Sequence, residues 1–187
     1  MGLGERLKRF LNRKSASTSP ICPICNHAHD TWPTIAFLEP YALTEFSDTD
    51  RAEKVKEKND DFCIIEYPDQ TDRFIRAVLL QEVRNHCKVL DYGIWVTLSE
   101  KSFEDYNNHF FDEVYEAIYF GYLANHIPPH KDALHVHCNV IYTGDNRRPI
   151  VVPHKSQRES NSFVDAYYIG ITIEDAEKRI SLADGSN

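Results

Sequence analysis

Residues 91–99 read DYGIWVTLS, in which Tyr92, Ile94, Val96 and Leu98 alternate with Gly93, Trp95 and Thr97. A period of two sends successive side chains to opposite faces, so the stretch predicts a β-strand. FCIIEY (62–67) and RFIRAVLL (73–80) are strand-length apolar runs joined by Pro-Asp-Gln-Thr-Asp, and predict a hairpin with a five-residue loop. TIAFL (34–38) predicts a further short strand. ALHVHCNVIYTG (133–144) alternates again, with Leu134, Val136, Cys138 and Val140 on one face and His135, His137 and Asn139 on the other. Gly144, Asp145 and Asn146 predict a turn, and RRPIVVPH (147–154) a returning strand whose prolines place it at a sheet edge. AIYFGYLAN (117–125) suits a strand or a short helix, ended by Pro128 and Pro129.

Helical signals fall between these runs. Ser47 is an N-cap for a helix through about Lys58, with Asp48 and Asp50 in its dipole-favoured first turn. Ser99 caps a helix through about His109. Asp165 to Tyr168 predict a short helix ended by Gly170, and Thr172 caps a last helix, IEDAEKRI, that carries Lys178 and Arg179. The order lacks a regular βαβα alternation. It predicts an α+β domain with a largely antiparallel sheet and flanking helices.

A chain of 187 residues, 42% hydrophobic and 12% aromatic, is long and apolar enough for one packed domain. Residues 1–14 place Leu3, Leu7, Phe10 and Leu11 on one helical face opposite cations, and SASTSP (15–20) has linker composition. The expected organisation is a basic extension and linker over 1–19 and one domain over 20–184. The basic segment offers contact with an anionic membrane; its plainer reading is a frayed, solvated extension. It carries +4 of a net charge of −8, leaving the remainder at −12. So acidic a body repels phosphate backbones, which argues against nucleic acid and points to a protein partner. No secretory signal and no run of about 20 apolar residues is visible, so the reading is cytoplasmic.

The densest candidate chemistry is ICPICNHAHD (21–30). Cys22 and Cys25 have zinc-knuckle spacing, Pro23 presets the turn, and Asn26 tolerates a left-handed conformation. A closed tetrahedral site needs two more ligands. His29 is the expected third, with His27 competing, and Cys63 the expected fourth, with His137 as rival. Thiolates suit zinc and iron alike, and a structural zinc ion in an N-terminal knuckle-like loop is the reading adopted. His135 and His137, two apart on one strand, form a second candidate pair for a catalytic metal, with His126, His130 and His154 scattered nearby in sequence. A solvent-facing polar row is the plainer reading of that pair, and core packing that of Cys138. Arg73, Arg76, Arg147 and Arg148 are expected to form surface ion pairs with residues such as Glu66 and Asp91, or to bind an acidic ligand.

Taken in order, CPIC with His29, DFCIIEYPDQTDRFIR, DYGIWVTLSEKSFEDY, YFGYLAN, RRPIVVPH and GITIEDAEKRI resemble the bacterial family catalogued as domain of unknown function 2199. The resemblance runs from about Cys22 to Ile180. It implies a small single-domain bacterial protein and no particular activity. Members commonly begin C-P-x-C-G-x-x-H, which maps onto Cys22, Pro23, Cys25, Asn26 and His29, with Asn26 in place of glycine. The match through DFCII favours Cys63 over His137 as fourth ligand. Asn161 and Ser162 stand where many members carry His-Pro. The expected function is a non-enzymatic binding or regulatory module with a structural zinc knuckle, immunity-like in kind. The alternative is a metal-dependent hydrolase with its metal on His135 and His137.

Overall fold

The computed structural model describes residues 32–144 and 147–184. Their elements in chain order are β1 (Ile35–Ala36), α1 (Tyr41–Thr44), α2 (Asp48–Lys54), β2 (Val55–Lys58), β3 (Phe62–Glu66), β4 (Thr71–Gln81) and β5 (Leu90–Leu98). There follow α3 (Glu100–Asn108), β6 (Ala117–Leu123), β7 (His137–Tyr142), β8 (Ile150–Pro153), α4 (Ser162–Ile169) and α5 (Ile173–Asp184). This is a mixed α+β domain whose largely antiparallel sheet closes on itself.

Closure depends on the length of β4. Its whole length pairs antiparallel with β5, from Arg73 opposite Leu98 to Gln81 opposite Leu90. Its other edge is shared. Phe62–Glu66 of β3 runs along the first half, and β8 meets Val78 and Leu79 in parallel. Strands β5, β6, β7 and β8 follow one another antiparallel, so β4 through β8 make a small five-stranded barrel. β1 adds in parallel to β5, and β2 extends the sheet beyond β3. At β6, Gly121 is what lets the strands approach. A Cβ there would stand 2.7 Å from the carbonyl oxygen of Thr97.

The period-two pattern predicts which side chains fill the barrel. Tyr92, Ile94, Val96 and Leu98 point inward with Ile75, Ala77, Leu79, Cys138, Val140 and Val151. The opposite face of β3–β5 is also covered, since Trp95, Phe74, Cys63 and Ile65 pack with Leu43 and Ala124 in a second cluster. At one end α3 supplies Phe103 and Tyr106, whose rings meet Phe62, Tyr119 and Tyr142. Tyr115 and Tyr119 both donate to the Asp105 carboxylate, at 2.7 and 2.8 Å, tying α3 to the start of β6.

The predicted caps are present. Ser47, Ser99 and Thr172 accept from the backbone N–H groups of Asp50, Ser102 and Asp175, and Asn161 caps α4 in the same way. Gly170 ends α4 with φ 79°, a left-handed value that suits glycine.

Three expectations are corrected. The helix begun at Ser47 stops at Lys54, because β-branched Val55 enters β2 opposite Ile65. β8 is no sheet edge but lies between β7 and β4. The N–H of His154 donates to the carbonyl of His137, so the Pro153 nitrogen faces away from β7; β4 accompanies β8 only at Ile150 and Val151, and the missing donor breaks no ladder bond. Finally, 133–144 is not one strand. Lys131–Ala133 form a 3₁₀ turn, His135 takes φ 63°, and β7 begins only at His137.

Candidate functional site

α5 carries Ala176, Arg179 and Ala183 at spacings of three and four, so a cation sits in the helix's apolar stripe. Arg179 is accordingly buried against the barrel, 4% exposed. Its Nη1 donates to the Tyr92 hydroxyl at 3.1 Å, and its Nη2 to His130 Nε2 at 3.0 Å. Its Nε is enclosed without an acceptor. Among the described residues no carboxylate forms an ion pair with this guanidinium; Asp175, one turn earlier on α5, feels its charge through space.

The donor character of arginine sets the polarity of everything beyond it. With Nε2 accepting from Arg179, neutral His130 carries its proton on Nδ1 and donates to Ser162 Oγ at 2.9 Å. Ser162 in turn gives its hydroxyl to Asp132 Oδ1 at 3.0 Å and its N–H to Oδ2 at 2.6 Å. Burial and the Arg179 charge hold the His130 pKa below its usual value. Burial raises that of Asp132, but the two bonds from Ser162, a bond from its own backbone and the nearby His130 together outweigh it and the carboxyl sits low. A serine, a histidine and an aspartate thus stand together, yet the histidine donates to the serine and cannot draw its proton. The trio ties the start of α4 to the 3₁₀ turn.

Arg179 and Tyr92 line a cleft of about 470 Å³. It is lined by β1 and the residues after it, among them Ile35, Phe37, Leu38 and Glu39, and by Thr44, Pro128 and Leu182. Phe37 is held in place by its own N–H, which donates to the Gly93 carbonyl, and by the indole of Trp95. Glu39, at the end of this wall, receives both Nη atoms of Arg51 at 2.7 and 2.8 Å, and those bonds keep its carboxyl ionised. Buried Asn125 braces the region, accepting from the Trp95 N–H and donating to the Glu39 carbonyl.

The predicted site residues lie elsewhere. Cys22, Cys25, His27 and His29 fall outside the described residues. Cys63 is wholly buried between Leu43, Ile65, Phe74 and Trp95, and burial pushes its thiol up to about 12. Cys138 is a core thiol, as expected. His135 lines a small hollow with Tyr41, Asp72 and Phe74, whereas His137 stands on the outer sheet face against Phe120, Tyr122 and His154. The break at His135 removes the shared strand face on which a His135/His137 metal pair depended. Among the described residues no group of three or more His, Cys, Asp or Glu side chains is placed to hold a metal ion.

Of the four arginines, Arg73 pairs with Glu100 and Arg148 with Asp61, not with Glu66 or Asp91. Arg76 makes no ion pair among the described residues. It lies nearly buried against the Trp95 ring, 5.2 Å from its centroid, with Lys58 Nζ at 4.9 Å from the same ring.

Fold and cleft together define a small-barrel α+β domain with an apolar cleft over a buried cation. The sequence model of the family described as "Uncharacterized protein conserved in bacteria (DUF2199)" matches residues 21–171, and the chain belongs to that family. No curated protein and no solved structure matches it. Among the described residues no helix is long and apolar enough to cross a membrane.

Proposed function

We propose that the protein is a binding module, not an enzyme, and that it receives an anion in the cleft beneath α5. One observation carries this reading: the Arg179 guanidinium is shut away from water yet bonded only to two neutral groups. Asp175, one turn earlier on α5, acts on this charge only through space; an anion at the cleft would add charge-assisted hydrogen bonds to a buried guanidinium that has none. The fixed polarity of the His130–Ser162–Asp132 chain supports binding over turnover, because the base that its serine meets is a carboxylate of lowered pKa, a weak proton acceptor, and not the histidine. A thermal-shift panel of acetate, octanoate and inorganic phosphate tests the proposal. At least one anion raises the melting temperature of the wild-type chain and leaves that of Arg179→Gln unmoved; no response from any of the three defeats it.

We further propose a structural zinc ion on Cys22, Cys25 and His29, with Cys63 as the expected fourth ligand. Its support is the donor set of the CPIC segment. The apolar enclosure of Cys63 opposes that last assignment, since a ligand thiol has to lose the proton that burial retains. A protein partner is a second contact suited to an acidic body. Phe111 and Val114, 83% and 87% exposed between α3 and β6, offer an apolar point for it, in keeping with an immunity-like role.

A further inference from the structure

We infer that the ligand of this cleft is a small monocarboxylate with an apolar body, an inference that rests on the anion-binding reading above. Charge sets the head group. The floor presents one cation, because the neighbouring His130 is kept neutral by its burial and by Arg179 itself. A single negative charge matches it. A phosphate dianion instead brings a second charge into a cleft whose wall already holds the ionised Glu39.

Hydrogen bonding fits the same head group. Each Nη of Arg179 has two N–H bonds and spends one, on Tyr92 or on His130. The Tyr92 oxygen accepts from Arg179, which leaves its own O–H to donate, and Tyr92 lines the cleft beside the guanidinium. A carboxylate accepts from both residues at once. The rest of the lining is mostly apolar, with Ile35, Phe37, Leu38, Pro128 and Leu182 beside the polar Glu39 and Thr44. A volume of about 470 Å³ lies within the range of small-molecule pockets. Apolar walls of this kind desolvate a hydrocarbon body and strengthen the charged contact beneath it.

Isothermal titration of the full chain with octanoate, acetate, octanol and inorganic phosphate tests the inference, on wild type, Arg179→Gln and Tyr92→Phe. Octanoate is expected to bind saturably, and acetate and octanol about tenfold or more weakly, each lacking one half of the recognition. Tyr92→Phe, which removes one hydroxyl and leaves the ring, is expected to weaken octanoate about tenfold with the circular dichroism spectrum unchanged. Phosphate binding more tightly than octanoate in an Arg179-dependent way overturns the ligand class and leaves the anion site standing. Octanol binding as well as octanoate, or octanoate binding equally to all three proteins, overturns both, as does no binding at all.

Discussion

The indole N–H of Trp95 donates to the main-chain carbonyl of Phe37 at 3.0 Å. One bond thereby joins the outer face of β5 to the wall of the Arg179 cleft, and it couples stability to binding. Trp95→Phe removes the donor and part of a fully buried ring, and shrinks the aromatic surface on which Lys58 and Arg76 lie. The expected loss is about 2–4 kcal/mol of unfolding free energy, from cavity and hydrogen-bond terms together. Urea denaturation measures it. Octanoate affinity is expected to fall as well, because Phe37 loses one of its two anchors.

His130 makes stability sensitive to mild acid. Its folded pKa lies below the ordinary histidine value of about 6.5, through burial first and the Arg179 charge second. Between those two values the unfolded chain holds a proton that the folded chain does not, so stability rises with pH. The contribution is complete above about pH 6.5 and drains away as pH falls toward the folded value. Melting temperatures from pH 7.5 down to 5 should fall in the wild type and follow a flatter course in His130→Gln. Loss of the Asp132 interaction belongs to lower pH, because that carboxyl is held below its usual range.

Gly121 admits no side chain. A Cβ there meets backbone at 2.7 Å, with side-chain atoms of Leu98 and Val140 at 3.2 Å. Gly121→Ala is expected to cost about 1–3 kcal/mol by forcing β5 and β6 apart, read as an earlier urea midpoint. Gly93→Ala, whose nearest contact is the end of the Arg76 side chain at 3.3 Å, should cost less.

If zinc binds at the CPIC segment, native mass spectrometry of the wild type shows one zinc ion per chain and Cys25→Ser shows none. Chelation should lower the melting temperature of the wild type alone, since metal that binds only the folded state stabilises it. Cys63→Ser decides the fourth ligand: a variant that retains zinc frees Cys63 from that role and leaves it a core thiol.

Much of the fold was legible in residue order. Alternation at Tyr92, Ile94, Val96 and Leu98 identified an inward row, and Ser47, Ser99 and Thr172 marked helix starts through local chemistry. What failed was tertiary. Nothing local announces that β4 serves two neighbours on one edge, so Pro149 and Pro153 read as edge markers. Alternation through His135 continued on paper because a positive φ leaves no trace in a hydrophobic pattern. Within the cleft, Arg179 read as a dipole cation near a helix end. Its stripe with Ala176 and Ala183 was the available signal, but its partners Tyr92 and His130 lie 87 and 49 residues away.

The cylinder is sealed along a short join, Val78 with Ile150 and Leu79 with Val151, beside ladders as long as nine register pairs. Two segments some seventy residues apart must find each other there, and the entropy of that meeting is recovered by few bonds. The domain therefore has a built-in zipper end. The join is expected to form late in folding and to give way early in fluctuation, and native-state hydrogen exchange should see its amides released ahead of those shared by β4 and β5.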